Sequence, residues 1–293
     1  MSSPFVRLLP LIAAIAILSW ASAYPVVRIA LRDLPPVPLA AMRYSVAAVL
    51  AAAWLAWTRP PLPAPRDLPR ILACGVIGIA LYNVLFNSGE VTVSAGAASL
   101  LISAAPLMAA LIAVATMGET LSRWGWGGSL LSFAGVVLIA QGQIGGIAFG
   151  SGATLVFGAA VCGALYTSLQ KRLVVRYGAL PSISYILLAG ALCLLPWLPQ
   201  ALAIMPHAPA RCWAAVLELG IFPAAIGYAA WAFVIGHMGA ARGAGLLYLL
   251  PPATLVLAFV LTGEIPSPRT LIGGAIVMAG VVLTNMYGRA RPA

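Results

Sequence analysis

Charge is what this chain has least of. Across 293 residues only 6 are Asp or Glu and 16 are Lys or Arg, 8% in all, while 62% are hydrophobic and the mean hydropathy is +1.04. A soluble domain carries roughly 25% charged residues, so that class is excluded. The few acids leave a catalytic centre of convergent carboxylates almost nothing to draw on. The two histidines, His207 and His237, stand 30 residues apart with no acid at metal-ligand spacing. Cys74, Cys162, Cys193 and Cys212 form no C-x-x-C pair, which argues against both a zinc site and a disulfide frame. No G-x-x-x-x-G-K-[ST] loop occurs, so an ATP-driven pump is not indicated. No metal, cofactor or enzymatic activity is expected. The net charge of +10 does not point to nucleic acid, because the basic residues fall between apolar stretches, where they serve as topology signals and lipid-phosphate contacts.

What is present is apolar sequence in runs. A bilayer core of about 30 Å needs about 20 helical residues. Reading from one charge or Pro/Gly cluster to the next gives ten candidate spans, at 8–30, 37–57, 70–89, 94–117, 124–142, 151–170, 179–200, 212–235, 243–262 and 270–288. The connections, such as "RDLPPVP" at 32–38, are turn-like and too short to hold a further domain. With a cytoplasmic N-terminus, Arg7, Arg59, Arg66, Arg70, Arg123, Lys171, Arg172, Arg176, Arg242, Arg289 and Arg291 lie inside, while only Arg28, Arg32, Arg211 and Arg269 lie outside. Arg43 falls within the second span. The excess of inner positive charge sets both termini in the cytoplasm.

Self-comparison gives a repeat. At a constant offset of 145 and without a gap, Pro106 meets Pro251, Gly118-Glu119 meets Gly263-Glu264, Gly128 meets Gly273, and "AGVVL" at 134–138 meets "AGVVL" at 279–283. Residues 1–146 and 147–293 then form two units of five helices, and because five is odd the second enters the membrane from the opposite side. Inverted repeats of this kind recur in secondary transporters, with substrate bound between the halves near mid-depth. A monomer is expected, since both halves already pair within one chain.

The same repeat decides how the N-terminus is read. Arg7, an apolar run to Leu18, and Ala21 and Ala23 in A-x-A spacing would suit a cleaved signal peptide. Cleavage would delete the counterpart of the sixth span, where "CGALYTS" (162–168) parallels "WASAYPV" (20–26) and Tyr166 stands opposite Tyr24. It would also reverse the charge bias, so the segment is expected to be retained as the first span.

Two five-helix halves, Trp20-Ala21-Ser22 in the first span, a proline midway along the fourth and ninth, "GE" at their ends and "AGVVL" in the fifth and tenth resemble the EamA-type drug/metabolite transporter superfamily. Within it the chain is most similar to the YddG-type bacterial exporters of aromatic and other neutral amino acids. The resemblance covers nearly the whole chain. It implies an all-α membrane protein of ten helices with a central cavity lined mainly by the first, third, fourth, sixth, eighth and ninth, opening to one side at a time.

Polar and aromatic groups inside those spans are the candidate substrate-binding residues, because a polar group facing lipid is costly. They are Trp20, Tyr24, Tyr82, Asn83, Phe86, Ser103, Tyr166, Tyr228, Trp231 and Tyr248. Rings would form an apolar wall, and Asn83, Ser103 and the tyrosine hydroxyls would meet a zwitterionic end. The alternative for each is helix–helix glue or an interfacial anchor. Pro106 and Pro251 each remove a mid-helix hydrogen bond and are candidates for a hinge or gate, or for a static kink. Glu218 reads as the only acid well inside a span, either a coupling carboxylate or a charge at the cavity mouth, whereas Glu90 reads as outer loop. Glu119 and Glu264 read as helix ends beside Arg123 and Arg269.

The resulting expectation is a secondary transporter of the bacterial inner membrane that exports neutral, aromatic or large apolar amino acids by alternating access. Export of cationic or lipophilic drugs and metabolites is the nearest alternative. A membrane-embedded enzyme, such as a lipid transferase, and a non-transporting scaffold or a channel are the alternatives from other classes.

Overall fold

The computed structural model describes residues 8–117, 122–238 and 246–287, and every regular element among them is helical. The elements are α1 (Leu9–Ala30), α2 (Pro36–Thr58), α3 (Pro65–Glu90), α4 (Ala95–Ile102, continuing as Ala105–Met117), α5 (Arg123–Gln141), α6 (Gly152–Tyr177), α7 (Ala179–His207), α8 (Ala210–Ile221, continuing through Phe222–Ile226 into Gly227–Met238), α9 (Leu247–Thr262) and α10 (Pro268–Tyr287). Seven of these helices are long and apolar enough to cross a membrane, and shorter apolar helices lie in α4, α9 and α10. Gly118, Glu119, Arg242 and both chain ends lie outside the described residues.

Local chemistry sets the starts and stops. Proline opens α1 and α2, where its missing N–H costs nothing and its fixed φ suits the first turn. Ser94, Ser122 and Ser151 cap α4, α5 and α6 by accepting from the backbone amides of Ala97, Gly125 and Thr154. Gly178 (φ 85°) and Gly263 (φ 70°) stop α6 and α9 in backbone conformations that a side chain would strain.

Several helices are irregular along their length, α7 among them through a 3-10 stretch at Leu195–Trp197. In α3 the stretch Gly75–Leu81, and in α8 the stretch Phe222–Ile226, widen into π-helical turns; Pro223 sits in the second and has no N–H to give. The α4 helix breaks at Ser103 and Ala104, just where Pro106 denies an N–H to the carbonyl of Ile102. The α9 helix begins with a tight 3-10 turn, Leu247–Leu249, before Leu250–Thr262. Pro106 therefore does not stand midway along a continuous helix, as the span boundaries suggested, but in the first turn of the segment after the break. Pro251 lies just after the 3-10 turn of α9. Residue 103 plus 145 is 248, so the break and the 3-10 turn fall at equivalent sequence positions.

Packing follows a regular scheme. The α1 helix lies on α8 and α9, α6 lies on α3 and α4, α2 on α7, and α5 on α10. The α5–α10 contact is close because glycines face each other across it. A Cβ on Gly128 would stand 2.6 Å from the Gly280 carbonyl, and one on Gly135 would stand 2.6 Å from the Gly273 carbonyl. Small residues let membrane helices approach until backbone meets backbone, where dispersion replaces the missing hydrophobic drive. Ser132 donates to the Val277 carbonyl (3.1 Å) between the two glycine contacts. The main buried core joins α1, α3, α4 and α6 through Val27, Phe86, Leu101 and Val156.

Candidate substrate site

Four-residue spacing puts Trp20 and Tyr24 on one face of α1, and likewise Tyr82 and Phe86 on one face of α3. The fold turns these faces toward each other and toward α8. The Trp20 ring meets Tyr228 edge-on at 5.5 Å and Trp231 at 5.4 Å. Tyr24 meets the Phe86 ring edge-on at 5.3 Å, and Phe86 stacks on Tyr82 at 5.8 Å. The widened turn of α8 holds the arrangement: the indole N–H of Trp20 donates to the Pro223 carbonyl at 3.1 Å. Gly227 makes room, since a Cβ there would lie 2.8 Å from the indole nitrogen. Tyr166 of α6 is buried against Gly78 in the widened turn of α3, and its hydroxyl has no partner among the described residues. Tyr248 packs, half-buried, against the core that contains Tyr24 and Phe86.

The polar candidates are placed differently from one another. Asn83 is buried and its amide nitrogen donates both to the Tyr44 hydroxyl (3.0 Å) and to the Ile79 carbonyl (2.8 Å), so its donors are already used. Ser103 donates back to the Ser99 carbonyl (2.8 Å) at the break in α4. Glu218 is half-buried; its Oε1 accepts from Ser22 at 2.5 Å, and its Oε2 is enclosed without a partner. Arg43, only 4% exposed, has an enclosed Nε without a partner and lies over the Tyr44 ring at 5.1 Å. Sequence reasoning noted Arg43 as a charge within a span but gave it no role. Its signal was there: a lone guanidinium interrupting an apolar helix faces protein or water rather than lipid.

A second polar group ties the far ends of α1, α3, α4 and α9. Arg28 pairs with Glu264, and its Nη1 donates to the Glu90 and Val93 carbonyls, both at 2.6 Å. Glu264 also accepts from the Ala95 amide at 2.9 Å, at the start of α4. Two expectations change here. The partner of Glu264 is Arg28 and not Arg269. Glu90 is not in a loop: it closes α3, is 1% exposed, and neither carboxylate oxygen has a partner among the described residues. Among the described residues, no group of three or more His, Cys, Asp or Glu could hold a metal ion.

The model of the EamA-like transporter family matches residues 8–141 and again residues 150–286. The chain belongs to that family. This EamA-like protein is 38% identical over 284 residues to a probable terminal-alkyne amino-acid exporter of Streptantibioticus cattleyicolor, covering 95% of this chain and 94% of the relative. It is 26% identical over 290 residues to a probable amino-acid metabolite efflux pump of Salmonella typhimurium, covering 94% of each. A crystal structure shares its fold with a TM-score of 0.61 at 23% identity, over 94% of this chain and 95% of the other. EamA membership makes the chain a multi-pass membrane transporter of a small molecule, and its likeness to amino-acid and metabolite exporters stands.

Proposed function

We propose that this EamA-like protein exports neutral amino acids with aromatic or other large apolar side chains across the bacterial cytoplasmic membrane, as a monomeric secondary transporter. One observation carries the substrate reading: Trp20, Tyr24, Tyr82, Phe86, Tyr228 and Trp231 come from three helices distant in sequence and meet ring to ring in two groups, around Trp20 and around Phe86. Such rings suit an apolar or aromatic side chain, and the names of the two relatives both include amino acids.

The proposed topology is ten spans in two inverted five-helix units, 1–146 and 147–293, with both termini cytoplasmic. Packing supports it. Exchange of the units converts α1 on α8 and α9 into α6 on α3 and α4, and returns α5 on α10 to itself. The glycine contacts behave the same way: 128 plus 145 is 273 and 135 plus 145 is 280, so the Gly128–Gly280 contact becomes Gly273–Gly135. Each described ion pair, Arg28–Glu264, Asp67–Arg176 and Asp33–Arg211, joins residues assigned to one side of the membrane. In the transport cycle the Arg28–Glu264 network closes the outer ends of α1, α4 and α9, and the break before Pro106 and the 3-10 turn before Pro251 are where α4 and α9 bend.

Glu218, bonded to Ser22 two residues along α1 from Trp20, favours a second reading, export of lipophilic cations. Competition separates the two. Preloaded proteoliposomes should exchange labelled tryptophan for external phenylalanine but not for a quaternary ammonium dye. Dye-driven exchange with no effect of phenylalanine would replace the amino-acid reading by the cation reading.

A further inference from the structure

An amino acid held at mid-membrane leaves two charged ends to be satisfied where water is scarce, and neutral hydrogen bonds offset only part of that cost. Tyrosine hydroxyls such as that of Tyr166 stay open, but the amide and serine donors near the rings are committed: those of Asn83 to Tyr44 and Ile79, and that of Ser103 to Ser99. Two full charges are not. Glu218 on α8 has one oxygen bonded to Ser22 and the other enclosed without a partner. Arg43 on α2 is 4% exposed, makes no ion pair or hydrogen bond with a described residue, and rests on the Tyr44 ring.

The two charges are neighbours without touching. The helices that carry them are in backbone contact, because a Cβ on Gly220 would lie 2.9 Å from the Arg43 carbonyl. Arg43 lies within electrostatic reach of Glu218, and also of Tyr82 and Tyr228 in the ring cluster. Yet the described ion pairs are formed elsewhere, at Arg28, Arg176 and Arg211. Opposite buried charges that can sense each other normally close into a pair, since leaving either alone is expensive. Two opposite charges left unpaired on adjoining helices fit a ligand carrying both complementary charges on one carbon.

We infer that Glu218 and Arg43 are the two poles of a zwitterion site: Glu218 Oε2 receives the α-ammonium, Arg43 the α-carboxylate, and the rings around Trp20 the side chain. This inference rests on the amino-acid reading above and adds to it the groups that distinguish an amino acid from an amine or an acid. A cation alone would leave Arg43 unanswered, and an anion alone would leave Glu218 so.

The test is binding to the purified full-length protein, by calorimetry, of phenylalanine and of its two half-ligands, phenethylamine, without the carboxylate, and 3-phenylpropionate, without the amine. The wild type should bind phenylalanine at least about tenfold more tightly than either, since each missing charge-assisted contact is worth roughly that factor or more. Glu218→Gln should weaken phenylalanine and phenethylamine by about tenfold and leave 3-phenylpropionate unchanged. Arg43→Gln should do the reverse, and Arg43→Lys should keep most of the binding. Should Arg43→Gln fail to fold, the wild-type ranking and Glu218→Gln still decide. Phenylalanine binding that is untouched by Glu218→Gln, or a loss shared equally by all three ligands, overturns the site while leaving an amino-acid exporter. A wild type that binds phenethylamine as tightly as phenylalanine overturns it in favour of cations. A wild type that binds no amino acid removes the exporter reading and the site together.

Discussion

Trp20 shows how one side chain can serve both fold and site. Its ring touches two aromatic residues of α8, and its N–H satisfies a carbonyl that the widened turn at Pro223 would leave open. Trp20→Phe should keep the ring wall but orphan that carbonyl, costing about 1–3 kcal/mol of stability, read as a lower melting temperature of the solubilised protein. Trp20→Ala should also remove the wall and raise KM for tryptophan about tenfold or more; an unchanged KM would place the substrate elsewhere. The spacing of Trp20 with Tyr24, and of Tyr82 with Phe86, was legible because helical geometry alone puts i and i+4 on one face. The fate of Asn83 was not, because its partner Tyr44 lies 39 residues away on another helix. Glu90 was misplaced for the same reason: what buries it is decided by Arg28, 62 positions earlier, reaching over the end of α3.

At the scale of elements, the irregular turns are the features that shape the site. The widened turns of α3 and α8 seat Tyr166 against Gly78 and Trp20 against Gly227. The break in α4 and the 3-10 turn of α9 come just before Pro106 and Pro251, and restoring an N–H at each proline should stiffen helices that bend there during transport. Pro106→Ala and Pro251→Ala are each expected to raise the melting temperature while lowering kcat more than KM. Equal stability with normal turnover would make the prolines passive. The prolines themselves were visible in the sequence, but whether they kink a continuous helix or end one segment and open another was not. That choice rests on the neighbouring turn, where Ser103 bonds to Ser99 and Leu247–Leu249 tightens into a 3-10 helix. The α5–α10 contact offers a complementary test away from the rings. Gly128→Val would press a branched side chain into the Gly280 carbonyl and should cost about 1–3 kcal/mol, with little change in KM.

For the whole molecule, the repeat at an offset of 145 is the most informative property of the sequence, and the packing of α1 to α10 is consistent with it at each pair of helices compared. Composition identifies a membrane protein because so few charged side chains cannot cover a surface that faces water. Periodicity and spacing then identify which helices carry rings, but not the pairing of charges, since Arg28, Arg43, Glu218 and Glu264 are separated by long stretches of chain. The account predicts that Arg28→Ala loosens the outer ends of α1 and α4, so that a cysteine placed at Val93 reacts faster with a membrane-impermeant thiol reagent added from outside. Equal reactivity would mean that the network does not close that side.

The most direct test of the central claim is uptake of labelled tryptophan and phenylalanine into proteoliposomes containing the wild type, Trp20→Ala or Tyr82→Ala. The account predicts saturable flux for both amino acids in the wild type and its loss in both variants with the protein still folded. Flux absent for both amino acids in folded wild-type protein, or flux that rises linearly with concentration and ignores the two substitutions, would contradict it.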